Sequence, residues 1–193
     1  MFENENSEEA RYGRNKSLAV DHNYINGGEY RRKFDNISEN NELNKNLYQC
    51  AKAMLAHRSG TDFEDMYWLD GDSGKIIASV TDMTVANRVD YTDGFLKKIR
   101  LIKKIYTIHN HPNSMPPSIS DFIAAYRNKY KTGIVACNNG TLYLYRNLIE
   151  PDKSLYDALT LQFSEMGYTD FTSERMALEE MASMGVLEFK EVN

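Results

Sequence analysis

Two histidines separated by one residue, His109 and His111, are followed ten residues later by Asp121. On an extended strand end, residues i and i+2 point to the same side, so both imidazoles can approach one ion. Asp121 falls in the first turn of a predicted helix, from which a short carboxylate can fold back toward the strand end. Two nitrogens and one oxygen form the ligand set of a catalytic zinc site with one position left for water. The spacing therefore predicts a Zn²⁺ site on these three residues.

The alternative for these histidines is a structural role. A single buried histidine is usually a hydrogen-bonded core residue, but two at alternate positions beside a proline-rich loop are hard to explain by packing alone. The other histidines, His22 and His57, have no partner at ligand spacing. We expect them at the surface or in local hydrogen bonds.

A zinc-bound water needs a nearby base that accepts its proton and passes it to the leaving amine. Glu64 is the best candidate because it opens the first predicted strand, and neighbouring strands bring distant positions together. Asp65 is the rival, with a shorter side chain on the opposite strand face. Ser118, three residues before Asp121, has two interpretations that spacing does not separate: a donor to an oxyanion or a helix cap.

Composition and charge limit the class of protein. A chain of 193 residues fits one domain of ordinary size with a short flanking arm. A net charge of −5 disfavours a protein that holds nucleic acid through its phosphates. The longest apolar runs, 76–80 and 142–145, are too short to span a bilayer, and the acidic N-terminus has no signal sequence. We expect a cytoplasmic protein in which Cys50 and Cys137 are reduced, buried thiols.

Hydrophobic periodicity predicts the elements that position the candidate residues. Apolar residues recur at three- and four-residue spacing from Leu43 to Leu55 and indicate a helix capped by Asn40 or Asn41. The other predicted elements are a hairpin of 63–69 and 76–80, a helix near 90–102, a buried strand at 105–108, a helix that opens at 118, a hairpin of 133–137 and 141–145, helices near 155–163 and 173–184, and a strand at 186–189. This order predicts a mixed α+β class, with a central mixed β-sheet flanked by helices.

The sequence HNHP at residues 109–112, followed by SISD at 118–121 and preceded by a glutamate, resembles the signature of the JAB/JAMM (MPN+) metalloproteases. Six residues, 112–117, separate the second histidine from the serine, and the usual deubiquitinase form has a longer spacer. The tighter loop is closer to compact bacterial and phage forms. From YINGGEY at residue 24 to about residue 150, the chain is similar to a JAB-type region attached to phage head-morphogenesis (minor head) proteins of prophages.

This resemblance implies a JAB/MPN-like fold and a zinc-dependent metallopeptidase or isopeptidase activity. By motif position, His109, His111 and Asp121 would bind Zn²⁺, Glu64 would be the general acid/base, and Ser118 would support the oxyanion. The substrate would be a protein or peptide, such as a phage structural protein or a ubiquitin-like protein. Neither a membrane nor a nucleic acid is expected as a partner.

The predicted organisation is a flexible N-terminal arm (1–23), a JAB/JAMM-like metallohydrolase domain (24–150) and a C-terminal helical extension packed on that domain (151–193). One alternative function is a non-catalytic module that keeps the fold and serves assembly of a phage particle. The environment of Glu64 distinguishes the module from the hydrolase, since a salt-bridged or solvent-facing Glu64 would favour the module. Nucleic-acid chemistry ranks last, because the contiguous letters HNH are not the dispersed nuclease motif and the charge is acidic.

Overall fold

A mixed β-sheet runs through the computed structural model, which describes residues 15–82, 92–99 and 101–193. The strands are β1 (Met66–Asp70), β2 (Ile76–Val80), β3 (Ile105–His111), β4 (Thr132–Cys137), β5 (Leu142–Asn147) and β6 (Leu187–Glu191). Their order in the sheet is β2-β1-β3-β4-β5-β6. Strands β3 and β4 are parallel, and the other neighbouring pairs are antiparallel.

Helices cover both faces of this sheet. They are α1 (His22–Ile25), α2 (Gly28–Arg32), α3 (Asn41–Arg58), α4 (Asp93–Ile99), α5 (Ile119–Asn128), α6 (Lys153–Glu165) and α7 (Asp170–Ser183). Helix α3 packs on one face against β1, β3 and β4, while α5 and α7 contact β4, β5 and β6. The predicted mixed α+β class, a central mixed sheet flanked by helices, is confirmed. None of the described helices has both the length and the apolar character needed to cross a membrane.

The long helix α3 forms as its sequence predicts. Asn40 is the N-cap, and its side chain accepts hydrogen bonds from the backbone N–H groups of Glu42 and Leu43. The apolar stripe of α3 is buried against the even-numbered residues of β3 and β4, among them Ile108 and Ile134. This packing leaves the odd-numbered residues of both strands, including His109, on the other face.

The described part of the predicted N-terminal arm lies against the domain. Residues 16–18 form a 3₁₀ turn, and the backbone N–H of Asn15 donates to the carbonyl of Gly60 at 2.8 Å. Val20 is buried in the core beneath α3, and Asn138 donates to the carbonyl of Leu18 at 2.7 Å. Residues 1–14 lie outside the described part of the chain.

Strand β3 is longer than its apolar run suggests. The sequence predicts a buried strand over 105–108 with the histidines at its extended end, and β3 itself continues to His111. The reason is the parallel neighbour β4, which pairs Val135 with His109 and Cys137 with His111. The helix predicted near 90–102 is α4, and residues 90, 91 and 100 of that prediction lie outside the described residues.

The C-terminal segment completes both the sheet and the core. Helices α6 and α7 pack on each other, and β6 then pairs antiparallel with β5. Buried side chains from this segment, among them Tyr156, Leu178 and Met181, join the same core cluster as Trp68 and Val135. Residues 151–193 therefore supply part of the layer that faces the histidines.

Candidate metal centre

The three predicted metal ligands lie together at the C-terminal end of β3. His109 Nε2 and His111 Nε2 are 3.0 Å apart. The two oxygens of Asp121 approach them separately, with Oδ1 at 3.4 Å from His109 Nε2 and Oδ2 at 3.6 Å from His111 Nε2. All potential ligand atoms lie within 4.8 Å of one another, so the group could hold a metal ion.

These separations fit a tetrahedral ion. Zinc–ligand bonds of 2.0–2.1 Å at the tetrahedral angle place neighbouring ligand atoms about 3.3 Å apart. The 3.0 Å between the two Nε2 atoms and the 3.4 and 3.6 Å from each of them to a different oxygen of Asp121 are close to that value. Two neutral imidazoles and one carboxylate also match the donor preference of Zn²⁺. The donor set and the proximity of these side chains therefore fit a zinc ion.

Backbone geometry brings the two ligand-bearing elements together. His109 and His111 alternate along β3 and share one face of the sheet. The chain then crosses to the parallel strand β4 through α5, whose first turn carries Asp121. Because α5 begins beside the end of β3, its N-terminus faces the imidazoles, where a carboxylate is stabilised by the helix dipole.

Asp121 is fixed by a capping box with Ser118. The Ser118 hydroxyl accepts a hydrogen bond from the backbone N–H of Asp121 at 3.2 Å, and it donates to Asp121 Oδ2 at 2.8 Å. The backbone N–H of Ser118 donates to the same Oδ2 at 2.7 Å. The observed contacts thus match the helix-cap interpretation of Ser118, and they orient the carboxylate that would bind the metal.

His111 is oriented by the loop that follows it. Its Nδ1 donates to the carbonyl oxygen of Met115 at 2.9 Å, which leaves Nε2 directed at the cluster. Burial lowers the pKa of His111, but the hydrogen bond and charge of Asp121, with the charge of Glu64, outweigh burial and raise it to about 9. The neighbouring imidazoles in turn hold the pKa of Asp121 well below its usual range despite burial.

His109 is held mainly by packing. Its ring meets that of Tyr145 edge-on, with 6.3 Å between centroids and 86° between planes. Tyr145 lies over Gly133, where a Cβ would overlap the tyrosine ring. Among the described residues, the buried Nδ1 of His109 has no hydrogen-bond partner. The two histidines therefore differ, since a carbonyl orients one and an aromatic ring orients the other.

Glu64 lies on the same face as the histidines. The sequence places Glu64 at the start of the first strand, but β1 begins two residues later, at Met66, which pairs with His109 across β1 and β3. Residues i and i+2 of an extended chain point to the same side, so Glu64 is on the side of Met66. Glu64 is buried and lines the cavity beside the imidazoles. Burial raises the pKa of Glu64 and the charge of Asp121 adds to the effect, while the two histidines oppose it. Within the described part of the chain, no ion pair neutralises this carboxylate.

Asp65 belongs to the other side of the sheet. Its carboxylate accepts hydrogen bonds from Arg58 Nε at 2.5 Å and pairs with His57 Nδ1 at 2.7 Å. The backbone N–H of Asp65 donates a hydrogen bond to Asn110 Oδ1 at 2.8 Å. His57 thus has the local hydrogen-bonding role expected for it, and His22 is exposed at the surface.

The cluster opens into a cavity of about 520 Å³. Its walls include Glu64, both histidines, the 113–118 loop and Tyr145. Four lining residues come from the C-terminal helices, and sequence reasoning did not place any of them at the site: Tyr156, Glu174, Arg175 and Leu178. No spacing signal links these helices to the histidines, because tertiary packing in the shared core cluster brings them together.

The chain was compared with protein-family models, with curated proteins and with solved structures. Nothing matches it in any of the three comparisons. The assignment of a function therefore depends on the residues of the cavity and on the motif described above.

Proposed function

We propose that this chain is a zinc-dependent hydrolase of amide bonds, of the JAB/JAMM metallopeptidase or isopeptidase type. The observation that carries the proposal is the convergence of His109, His111 and Asp121, whose ligand atoms lie within 4.8 Å of one another, with the buried Glu64 beside them. A cavity much larger than an ion and a water is open to these groups, as a substrate would require.

The roles follow from the contacts of each side chain. His109, His111 and Asp121 would hold the ion, which when bound supplies a Lewis acid and lowers the pKa of a coordinated water. Glu64 would accept a proton from the nucleophile and deliver it to the leaving amine. A pKa raised by burial suits this role, because the carboxyl group can then both bind and release a proton nearer to neutral pH.

Ser118 would act on the metal ligand Asp121 and not on the substrate. Its hydroxyl proton is directed to Asp121 Oδ2 at 2.8 Å. Support of an oxyanion by Ser118 would need rotation of this hydroxyl away from the carboxylate. The proposal therefore gives Ser118 the role of orienting Asp121.

The environment of Glu64 favours an enzyme over a non-catalytic assembly module. A module would be indicated by a Glu64 turned to solvent or engaged in a salt bridge. Glu64 is instead buried, and it faces the cavity without an ion-pair partner among the described residues. The resemblance to the region attached to phage head-morphogenesis proteins makes a phage structural protein one candidate substrate, and a ubiquitin-like protein is another.

The test compares the zinc content and the activity of matched variants. Wild-type protein should hold one zinc per chain by elemental analysis and should cleave members of a panel of fluorogenic peptide amides and lysine-linked isopeptides. His109→Ala and Asp121→Ala should lose the zinc. Glu64→Gln should keep the zinc and lose activity by about 10²–10⁴-fold, whereas Glu174→Gln, a change to an exposed carboxylate of the same cavity, should stay active.

Two results would contradict the proposal. Undiminished zinc in both ligand variants would remove the metal centre from these residues. A fully zinc-loaded protein that cleaves no member of the panel would reject the hydrolase assignment in favour of the assembly module.

A further inference from the structure

The thiol of Cys137 lies beside the metal centre, on the strand next to that of His111. The parallel register of β3 and β4 pairs Cys137 directly with His111. Side chains of paired residues in neighbouring strands project from the same face, so the thiol is on the side of the imidazoles. Cys137 is fully buried there, in the core cluster that also contains Val135 and Tyr145.

One carbonyl oxygen connects the thiol to the metal ligand. The oxygen of Met115 accepts a hydrogen bond from His111 Nδ1 at 2.9 Å and another from Cys137 Sγ at 3.4 Å. A carbonyl oxygen can only accept, so the Cys137 thiol is the donor in this contact. Cys137 is not one of the clustered ligand atoms, which come from His109, His111 and Asp121.

The loop that carries this carbonyl is short and is anchored at few points. Ser114, immediately before Met115, has a positive φ of 61°, a backbone conformation that disfavours most side chains. Apart from the two bonds to the Met115 oxygen, the side-chain bonds of this loop are long for N–H···O contacts. Asn113 Oδ1 accepts from the N–H of Met115 at 3.4 Å, and Ser114 Oγ accepts from the N–H of Asn139 at 3.3 Å. A donor from the rigid strand β4 therefore fixes the position of the carbonyl.

We propose that Cys137 is a positioning residue for the metal centre: its thiol holds the Met115 carbonyl, which in turn holds His111 with Nε2 toward the ion. This inference rests on the metal centre of the proposed function. It deepens that function by assigning a role to a residue outside the HxH and SxxD motif. Cys137 acts through a hydrogen bond and not through metal coordination or redox chemistry.

The decisive experiment measures zinc affinity in variants that differ in their ability to donate. Cys137→Ala and Cys137→Val remove the donor, whereas Cys137→Ser keeps one. We expect zinc binding, measured by competition with a chromophoric chelator, to weaken about five- to tenfold in the first two variants and by no more than about twofold in the serine variant. Cys50→Ala is the matched control, because Cys50 is also a buried, free thiol but belongs to α3 on the other face, and it should bind zinc as the wild type does.

A second measurement does not need the metal. The Nδ1 proton of His111 should be visible by NMR in metal-free wild-type protein, because its hydrogen bond to Met115 slows exchange with water. It should remain in Cys137→Ser and broaden in Cys137→Ala and Cys137→Val, while the amide spectrum shows that each variant is folded.

The outcomes separate this inference from the proposed function. Wild-type zinc affinity in the alanine and valine variants, or an equal loss in the serine variant, would overturn the role of Cys137 and leave the metal centre intact. The other outcome is a protein whose His111 Nδ1 proton is protected and depends on residue 137 but which binds no zinc. That result would reject the proposed function and leave the orienting contact in place.

Discussion

Glu64 and Asp65 are adjacent in the chain, yet their carboxylates lie on opposite sides of the sheet. Glu64 faces the cavity beside His109, whereas Asp65 is held by Arg58 and His57 behind the sheet. Alternation along an extended chain accounts for the separation. The Glu64 carboxylate therefore faces the cavity, and the Asp65 carboxylate forms a buried structural ion pair.

This separation predicts different effects of mutation at the two positions. Asp65→Ala should lower the free energy of unfolding by about 3–5 kcal/mol, because it leaves the buried guanidinium of Arg58 without its carboxylate partner. Zinc binding by the folded variant should be unchanged. Chemical denaturation checks the first expectation, and elemental analysis checks the second.

The matched control for Asp65→Ala is Asp157→Ala. Asp157 pairs with Lys153 at 2.7 Å, but both side chains are more than half exposed, so the loss should not exceed about 0.5 kcal/mol. Equal losses in the two variants would show that Asp65 is not a buried structural partner. Loss of zinc from folded Asp65→Ala would place this residue in the metal centre.

Ser118→Ala tests whether the serine acts on the protein or on the substrate. It removes the N-cap of α5 and the bond to Asp121 Oδ2. We expect a loss of about 1 kcal/mol in stability and weaker zinc binding, measured by denaturation and chelator competition. Ser118→Thr should retain both properties, since it keeps a capping hydroxyl. If Ser118→Ala changed only the turnover number, the oxyanion interpretation would be correct instead.

Gly133→Ala should disturb the metal centre from a distance. Its added methyl group would overlap the Tyr145 ring, which packs against His109. We expect a loss of about 1–3 kcal/mol in the free energy of unfolding, together with weaker zinc binding, measured by the same two methods. At Gly28, the nearest atom to an added Cβ is in the Arg32 side chain at 3.6 Å, so Gly28→Ala should not lower stability. Wild-type behaviour of Gly133→Ala would contradict the packing of Tyr145 described here.

Zinc affinity should depend on pH through His111. In the metal-free protein Asp121 raises the pKa of His111 to about 9, so at neutral pH the imidazole carries a proton that the metal must displace. Between about pH 8 and pH 6, the apparent dissociation constant should therefore rise about tenfold for each unit of pH decrease. The pKa of Asp121 is well below this range, so the carboxylate adds no further proton. Chelator competition at several pH values measures the slope, and a flat profile would contradict a proton on His111.

The sequence predicts most of the fold because local patterns specify its elements. The apolar stripe and the Asn40 cap define α3, and the Asn138–Gly140 turn defines the β4–β5 hairpin. The end of β3 is not specified locally. His109 and His111 are polar residues in strand positions because β4 pairs with both and β1 pairs with His109. Such long-range pairing is not visible in a run of residue types.

The candidate site is predictable only where its residues follow a motif. His109, His111, Ser118 and Asp121 lie within a short segment whose spacing reflects a strand end and a helix start. The contributions of Cys137, Tyr145 and Leu178 depend on which strands and helices are neighbours in the fold. The spacing of residues in the sequence therefore does not predict them. Glu64 is an intermediate case. Alternation along the chain separates it from Asp65, but only the β1–β3 register explains why Glu64 is the one that faces the cavity.

The position of β6 at the edge of the sheet, beside β5, has a consequence for how this chain can be divided. Cleavage after Glu150 would expose the outer hydrogen-bonding edge of β5 to solvent, where unpaired strands tend to associate with other chains. It would also strip Tyr156 and Leu178 from the wall of the cavity. A shortened chain that kept every residue of the HxH and SxxD motif would thus lack part of the cavity wall around those residues.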